Sequence, residues 1–318
     1  MIDILMILGG LLLLFLGGEG LIKGAVSLAR NFGLSRLMVS VVVVGFGTSM
    51  PEMTVSVGAA LKGASDIAIG NVVGSNIANI LLIIGLASVL YPITIVVNAV
   101  KRDTFVMLGA NLVLCGLALT GIISFWAGVL MFIALIGYIA LSYHQDKKRS
   151  AITIQHIEQD VESEPQLKPF KASVYSLVGL GLLIGGAYMV VEGAVSIAIG
   201  FGISEAVIGL TIVAVGTSLP ELATALVAAY RRHSDVIIGN ILGSSIFNIL
   251  AILGVTAMIS PIPVATQFAR YDVWVMLGVA VFLSIYLLRG LTIGRVSGLA
   301  MLLAYCGYTV WLYVGTGG

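Results

Sequence analysis

The sequence predicts an all-α integral membrane protein, with ten transmembrane helices arranged as two inverted-topology five-helix repeats. Three observations predict it. The 318 residues are 59% hydrophobic and 10% charged, with mean hydropathy +1.12, against about 25% charged residues in a soluble domain. Polar breaks divide the chain into ten apolar segments, each near the ~20 residues that cross a bilayer as helix. Finally, "GTSMPEMTVSVGAALKGASDIAIGNVVGSNIANILLIIG" (47–85) recurs 169 residues later as "GTSLPELATALVAAYRRHSDVIIGNILGSSIFNILAILG" (216–254), with 20 of 39 positions identical and no gap. An exact period over such a length is a structural repeat, and a repeat of five spans re-enters the membrane from the opposite side.

The segments are expected at 4–29, 37–61, 66–90, 104–121, 124–143, 172–199, 206–230, 236–259, 271–289 and 295–314. None shows the period-2 alternation of a barrel strand. The first, "MIDILMILGGLLLLFLGG", has no basic n-region and reads as a retained helix rather than a signal peptide. Within it Glu19 and Lys23 are spaced for an i,i+4 ion pair. The second and seventh segments carry the GTS-x-PE motifs, and the third and eighth carry "GNVVGSNIAN" and "GNILGSSIFN". Cys115 and Cys306 fall in the fourth and tenth and read as small core residues, without metal-ligand spacing.

Residues 1–143 therefore form an N-terminal repeat and 172–318 a C-terminal one. Residues 144–171 read as a cytoplasmic linker whose acidic positions, Glu158, Asp160, Glu162 and Glu164, form a solvated charge run. With the N-terminus outside, thirteen of the 16 Lys and Arg residues, Arg30, Lys101 and Arg102 among them, fall in inner loops, while only Lys62 and Arg270 fall in outer ones. The positive-inside rule thus places both termini outside a cell membrane. The net charge of +1 says nothing about acidic partners; no nucleic-acid partner is expected, and nothing in the sequence demands a protein partner.

Each motif pairs a helix breaker with a carboxylate in apolar surroundings. Pro51 and Pro220 lack an N–H and crowd the carbonyl four residues back, which releases the Gly47 and Gly216 carbonyls. Glu52 and Glu221 fall about halfway along their segments, where a charge costs roughly 2.5–3.5 kcal/mol. A bound cation would satisfy both kinds of group. Thr48 and Ser49 share a helix face with Glu52, as Thr217 and Ser218 do with Glu221. Asn71, Ser75 and Asn79 form an i, i+4, i+8 stripe, repeated by Asn240, Ser244 and Asn248. Beside them Gly70, Gly74, Gly239 and Gly243 would let helix backbones approach. These donors are all oxygens, which suits a hard cation taking six to eight of them at about 2.3–2.6 Å. Soft metals are disfavoured, since His144, His156 and His233 fall in expected loops. A membrane-embedded metalloenzyme would need His or Cys ligands, and HExxH is absent.

The paired motifs closely resemble the two alpha repeats of the cation/calcium antiporter superfamily, above all its sodium/calcium exchanger branch. The resemblance implies an antiporter, not an enzyme, with Ca²⁺ and Na⁺ as transported ions and no cofactor. It implies calcium ligands at the Glu52 and Glu221 carboxylates and the Thr48 and Thr217 carbonyls. One flanking sodium site would use Ser49, Ser244 and the Gly45 carbonyl, and the other Ser218, Ser75 and the Ala214 carbonyl. Asn79 and Asn248 would line the middle. Several relatives carry Asp where this chain has Asn248, so the expectation is a pocket of formal charge near −2 and exchange independent of potassium. A proton/calcium antiporter on the same fold stays open, although that branch usually places a further acid beside the GN motif, where this chain has none.

Overall fold

The computed structural model describes residues 2–157, 167–201 and 214–315. Its helices are α1 (Ile2–Phe32), α2 (Arg36–Thr48), α3 (Met50–Leu61), α4 (Ser65–Leu90), α5 (Val97–Leu119) and α6 (Phe125–Ile157) in the first half. In the second half they are α7 (Pro169–Gly200), α8 (Ala214–Thr217), α9 (Leu219–Tyr230), α10 (Ser234–Ile259), α11 (Phe268–Arg289) and α12 (Arg295–Gly315). Every apolar segment coincides with helix where it is described. The acidic positions 158–164 and the start of the 206–230 segment lie outside the described residues.

Seven of the described helices are long and apolar enough to cross a membrane, or eight when α2 and α3, bent by 44° at Ser49, count as one span. The α8–α9 pair and α12 are not among them, so length and composition yield seven or eight spans where the sequence predicts ten.

Three local expectations are corrected. The helix expected to end at 143 continues in α6 to Ile157, carrying His144 and His156 with it. The stretch "HQDKKRSAITIQ" contains no Gly or Pro, so the hydrogen-bond ladder persists beyond the apolar run. Likewise Arg102, expected in a loop, lies in α5, where Asp103 accepts from its Nε at 2.7 Å and Tyr138 donates to the same carboxylate at 2.8 Å. Of the two cysteines, Cys115 is buried but Cys306 is exposed on α12.

The molecule has an inner and an outer layer. The most apolar stretch of α10 is buried throughout and that of α4 is 78% buried, whereas those of α1 and α7 are 28% buried and present most of their surface outward. α1 and α7 run antiparallel along a seam of small residues spaced by seven. A Cβ on Gly10, Gly17 or Gly24 would lie 2.7 Å from the carbonyl oxygen of Gly186, Gly179 or Ala172, and one on Gly193 equally close to that of Asp3. Lipid supplies no hydrophobic drive between helices, so such close backbone packing is what holds two apolar helices together. The same device joins the halves at the centre. Gly239 and Gly243 of α10 press on Leu37, Ser40 and Val41 of α2, as the sequence leads one to expect. Gly70 instead meets the Phe268 ring, and around Gly74 no described atom lies within 4 Å of a Cβ position.

Two short extended pairings tie the halves at their loops. Ile122–Ile123 pairs antiparallel with Ile262–Pro263, and Ile93 pairs with Ile293. A shift of 169 carries Ile93 onto Ile262 and Ile123 to within one residue of Ile293, so the second pairing is the repeat counterpart of the first.

Candidate cation site

The two GTS-x-PE motifs break their helices in the same way. Ser49 (φ −83°, ψ 7°) separates α2 from α3, and Ser218 (φ −89°, ψ 6°) separates α8 from α9, with the proline in the first turn after each break. Across the first break, Ser49 N–H donates to Gly45 O at 3.2 Å and Met53 N–H to Ser49 O at 3.1 Å. Pro51 has no N–H to give to the carbonyl four residues back, that of Gly47. On the far side of each bend an asparagine of the next helix bonds the main chain: Asn71 Nδ2 donates to the Glu52 carbonyl at 3.0 Å, and Asn240 Nδ2 to that of Glu221 at 3.5 Å. Asn71 and Asn240, read from sequence as oxygen donors, therefore serve as clamps through their nitrogens. Asn240 also presents Oδ1 3.2 Å from the Thr48 hydroxyl.

At the bends the carboxylates cross over. Ser49 of the first motif donates to Glu221 Oε1 at 3.1 Å, and Ser218 of the second donates to Glu52 Oε1 at 3.2 Å. Glu52 is thus within electrostatic range of Glu221. Both side chains are fully buried. Among the described residues the ion pairs are Arg102–Asp103 and Glu19–Arg231, so no cationic side chain neutralises either one. In each carboxylate the second oxygen, Oε2, is buried without a hydrogen-bond partner, a state that costs about 1–3 kcal/mol or more for a charged group. Glu19 itself pairs across the structure with Arg231, at 2.5–2.9 Å, rather than with Lys23 as spacing suggests. Lys23 lies over the Tyr175 ring instead.

The next helices close the site. Each widens into a π turn beginning at its asparagine, Asn79–Ile84 in α4 and Asn248–Leu253 in α10. Such turns are rare and concentrate at functional positions. The Asn79 turn packs against α9, which carries Glu221, and the Asn248 turn packs against α3, which carries Glu52. Both asparagines are fully buried. Neither amide atom of Asn79 has a partner, and Asn248 Oδ1 has none either.

Of the two sodium triads implied by resemblance, Ser49, Ser244 and Gly45 are brought together: the Gly45 carbonyl accepts from Ser244 Oγ at 3.3 Å and from the Ser49 N–H. In the other, Ser218 reaches Glu52, Ser75 is buried, and α8, which Ala214 opens, packs against α4, which carries Ser75. Thr217 is buried in the last turn of α8. No group of three or more His, Cys, Asp or Glu residues that could hold a metal occurs among the described residues. What remains is a nest of two carboxylates, hydroxyls and amide oxygens, suited to a hard cation. Sequence reasoning passed over Asn76, which lies within the "GSN" motif. Its signal was the mismatch with Ser245 in the second copy.

Comparisons with known proteins follow this geometry. The sequence profile described as "Sodium/calcium exchanger protein" matches residues 2–144 and 171–314. The chain is 38% identical to the putative antiporter CaxA of Alkalimonas amylolytica, over 96% of this chain and 97% of that one. It is 30% identical to the sodium/calcium exchanger MaX1 of Methanosarcina acetivorans, over 98% and 99%. Among solved structures, the sodium-calcium exchanger NCX_Mj soaked with Na⁺ and Sr²⁺ superimposes with a TM-score of 0.81 at 30% identity, covering 96% of each chain. A profile that spans both halves, and a solved exchanger that matches the fold from end to end, show that this multi-pass membrane protein belongs to the sodium/calcium exchanger family.

Proposed function

We propose that the chain is a secondary active antiporter that exchanges Ca²⁺ for Na⁺ across the cell membrane by alternating access. The observation that carries this reading is the crossover at the bends: two buried carboxylates without cationic partners, each bonded to the serine of the other motif and each with a free oxygen. Two carboxylates balance one divalent ion or two sodium ions. Emptied, the same pocket would carry a formal charge near −2 into hydrocarbon, at roughly 2.5–3.5 kcal/mol per charge. Loaded states therefore reorient and the empty state does not, which couples the two fluxes.

In this proposal ten helices form two inverted halves, 1–143 and 172–318, joined by a cytoplasmic 144–171 segment, with both termini outside. Glu52 and Glu221 bind Ca²⁺ together with the carbonyls of Thr48 and Thr217. Sodium shares the carboxylates, flanked by Ser49, Ser244 and Gly45 on one side and by Ser218, Ser75 and Ala214 on the other, with Asn79 and Asn248 between. The glycine seam makes α1 and α7 one unit, which slides against the bent helices to open the site to either side. Glu19–Arg231 ties α1 to the end of α9 on the inner side. If three sodium ions exchange for one calcium, as the resemblance implies, transport moves net charge and responds to voltage; the neutral Asn248 makes it independent of potassium.

The test is ⁴⁵Ca²⁺ uptake into proteoliposomes driven by an outward sodium gradient at clamped pH. Uptake that follows the sodium gradient and responds to an imposed potential supports the proposal. Uptake that needs only a pH gradient replaces it with proton/calcium antiport.

A further inference from the structure

One buried side chain at the edge of the site belongs to neither the ligand set nor the bends. Asn76, on α4, is 1% exposed, and it lies between Met276 of α11 and Asn248 of α10, which are equally buried. Its Nδ2 lies 3.6 Å from Met276 Sδ, and its Oδ1 accepts from Asn248 Nδ2 at 3.1 Å. A thioether sulfur can only accept, so it takes the NH₂ end of the Asn76 amide and leaves the oxygen end toward α10. That oxygen in turn can only accept, so Asn248 must turn its own NH₂ toward Asn76. Asn248 Oδ1 is left buried and without a partner, in the turn that packs against the helix of Glu52.

We propose that Asn76 is a positioning residue that sets the direction of the Asn248 amide, so that an oxygen rather than an NH₂ faces the transported cation. The distinction matters because the two ends of an amide are nearly the same size but opposite in polarity: the oxygen ligates a hard cation and the NH₂ repels it. Nothing in the packing volume alone selects one end. Without the Asn76 acceptor, the Asn248 NH₂ is free to turn toward the helix of Glu52, against which its turn packs and whose carboxylate keeps a partnerless Oε2. In that arrangement it competes with the cation for a carboxylate.

The second copy provides an internal control. The repeat counterpart of Asn76 is Ser245, whose hydroxyl is buried without a partner, and the counterpart of Asn248 is Asn79, neither of whose amide atoms is bonded. The relay Met276–Asn76–Asn248 therefore exists on one side only, and it makes Asn248 the oriented amide of the pair.

This inference rests on the exchanger reading, and the experiment separates the two. Equilibrium ⁴⁵Ca²⁺ binding to the purified full-length protein is measured alongside sodium-driven flux for N76L, which keeps the branched outline of the side chain, enlarges it by two methyl groups in place of O and NH₂, and removes the acceptor. Calcium affinity falls about tenfold, the loss expected for one hydrogen bond to a charged or ion-binding group, while the maximal flux at saturating calcium changes less than about twofold by the same reasoning. The decisive comparison repeats N76L in an N248D background. A carboxylate offers an oxygen whichever way it turns, so N76L there changes affinity less than about twofold. Equal losses in both backgrounds, or no loss with Asn248 in place, overturn the proposal. If N76L does not fold, M276L decides, since it conserves volume and removes the group that orients Asn76. Weakened calcium binding supports the relay and unchanged binding overturns it. Failure of the unmodified protein to bind Ca²⁺ would instead sink the exchanger reading itself.

Discussion

In the first copy of the repeat, Ser49 reaches across to Glu221, Asn71 clamps the Glu52 carbonyl and a π turn opens at Asn79; in the second, Ser218 reaches to Glu52, Asn240 clamps Glu221 and a π turn opens at Asn248. Elsewhere the copies part. Gly45 faces Ala214 in the alignment, Asn76 faces Ser245, and the Glu19–Arg231 pair corresponds to Tyr188 and Lys62, which cannot form an ion pair. The shared features all concern charge and the broken helix, the parts to which the proposal assigns the ion. The unshared ones concern close packing, amide orientation and the grip on α1. They give a pseudo-symmetric pair of repeats a preferred arrangement.

This comparison can be broken at its strongest point first. Glu52→Gln and Glu221→Gln should each lower sodium-driven calcium uptake by at least ~100-fold, about 2.7 kcal/mol at 1.36 kcal/mol per decade, and by similar amounts. A variant that kept its activity would show that one copy holds the ion alone. Next is the packing difference. A Cβ on Gly45 would lie 2.8–2.9 Å from the backbone of Ser244 and Gly243, so Gly45→Ala should destabilise the protein by roughly 1–3 kcal/mol. A lower melting temperature in detergent would register this, although Ala is the natural residue at 214.

Smaller effects sharpen the picture. Ser49→Ala and Ser218→Ala each remove one hydrogen bond to the opposite carboxylate, and both should weaken calcium binding by about three- to tenfold, as read by ⁴⁵Ca²⁺ titration. Unequal losses would mean that the crossover is functionally one-sided. The smallest effect is expected for Glu19→Gln, because its pair with Arg231 is partly exposed, at 23% and 44% for the two side chains, and such pairs contribute at most ~1 kcal/mol. It should increase thiol labelling of a cysteine placed at the C-terminal end of α9 without altering calcium affinity.

Much of the site could be read from residue order because the chemistry is local. A proline one residue before a glutamate, inside an apolar run, implies a broken helix and a stranded charge wherever the rest of the chain goes. The exact 169-residue register then doubles that inference. Partners distant in sequence were harder to foresee. Spacing along α1 pointed Glu19 at Lys23, yet the ion pair formed 212 residues away with Arg231. The i, i+4 stripe made Asn71 and Asn240 look like ligands, whereas their NH₂ groups bond the Glu52 and Glu221 carbonyls. The polar stretch after 143 looked like linker, but residues 144–155 hold no Gly or Pro, and the helix runs on to Ile157.

By itself, then, the amino-acid sequence determined the apolar helical architecture, the repeat, and which two carboxylates lose their solvent, because these depend on composition and on neighbours a few positions apart. Only the tertiary structure decided that each carboxylate leans on the other copy's serine, that α1 and α7 interlock along their glycines, and that Asn76 turns Asn248. Those outcomes depend on which backbones approach within hydrogen-bonding distance, and in a membrane that choice is made by close packing between helices rather than by any gradient of hydrophobicity along one of them.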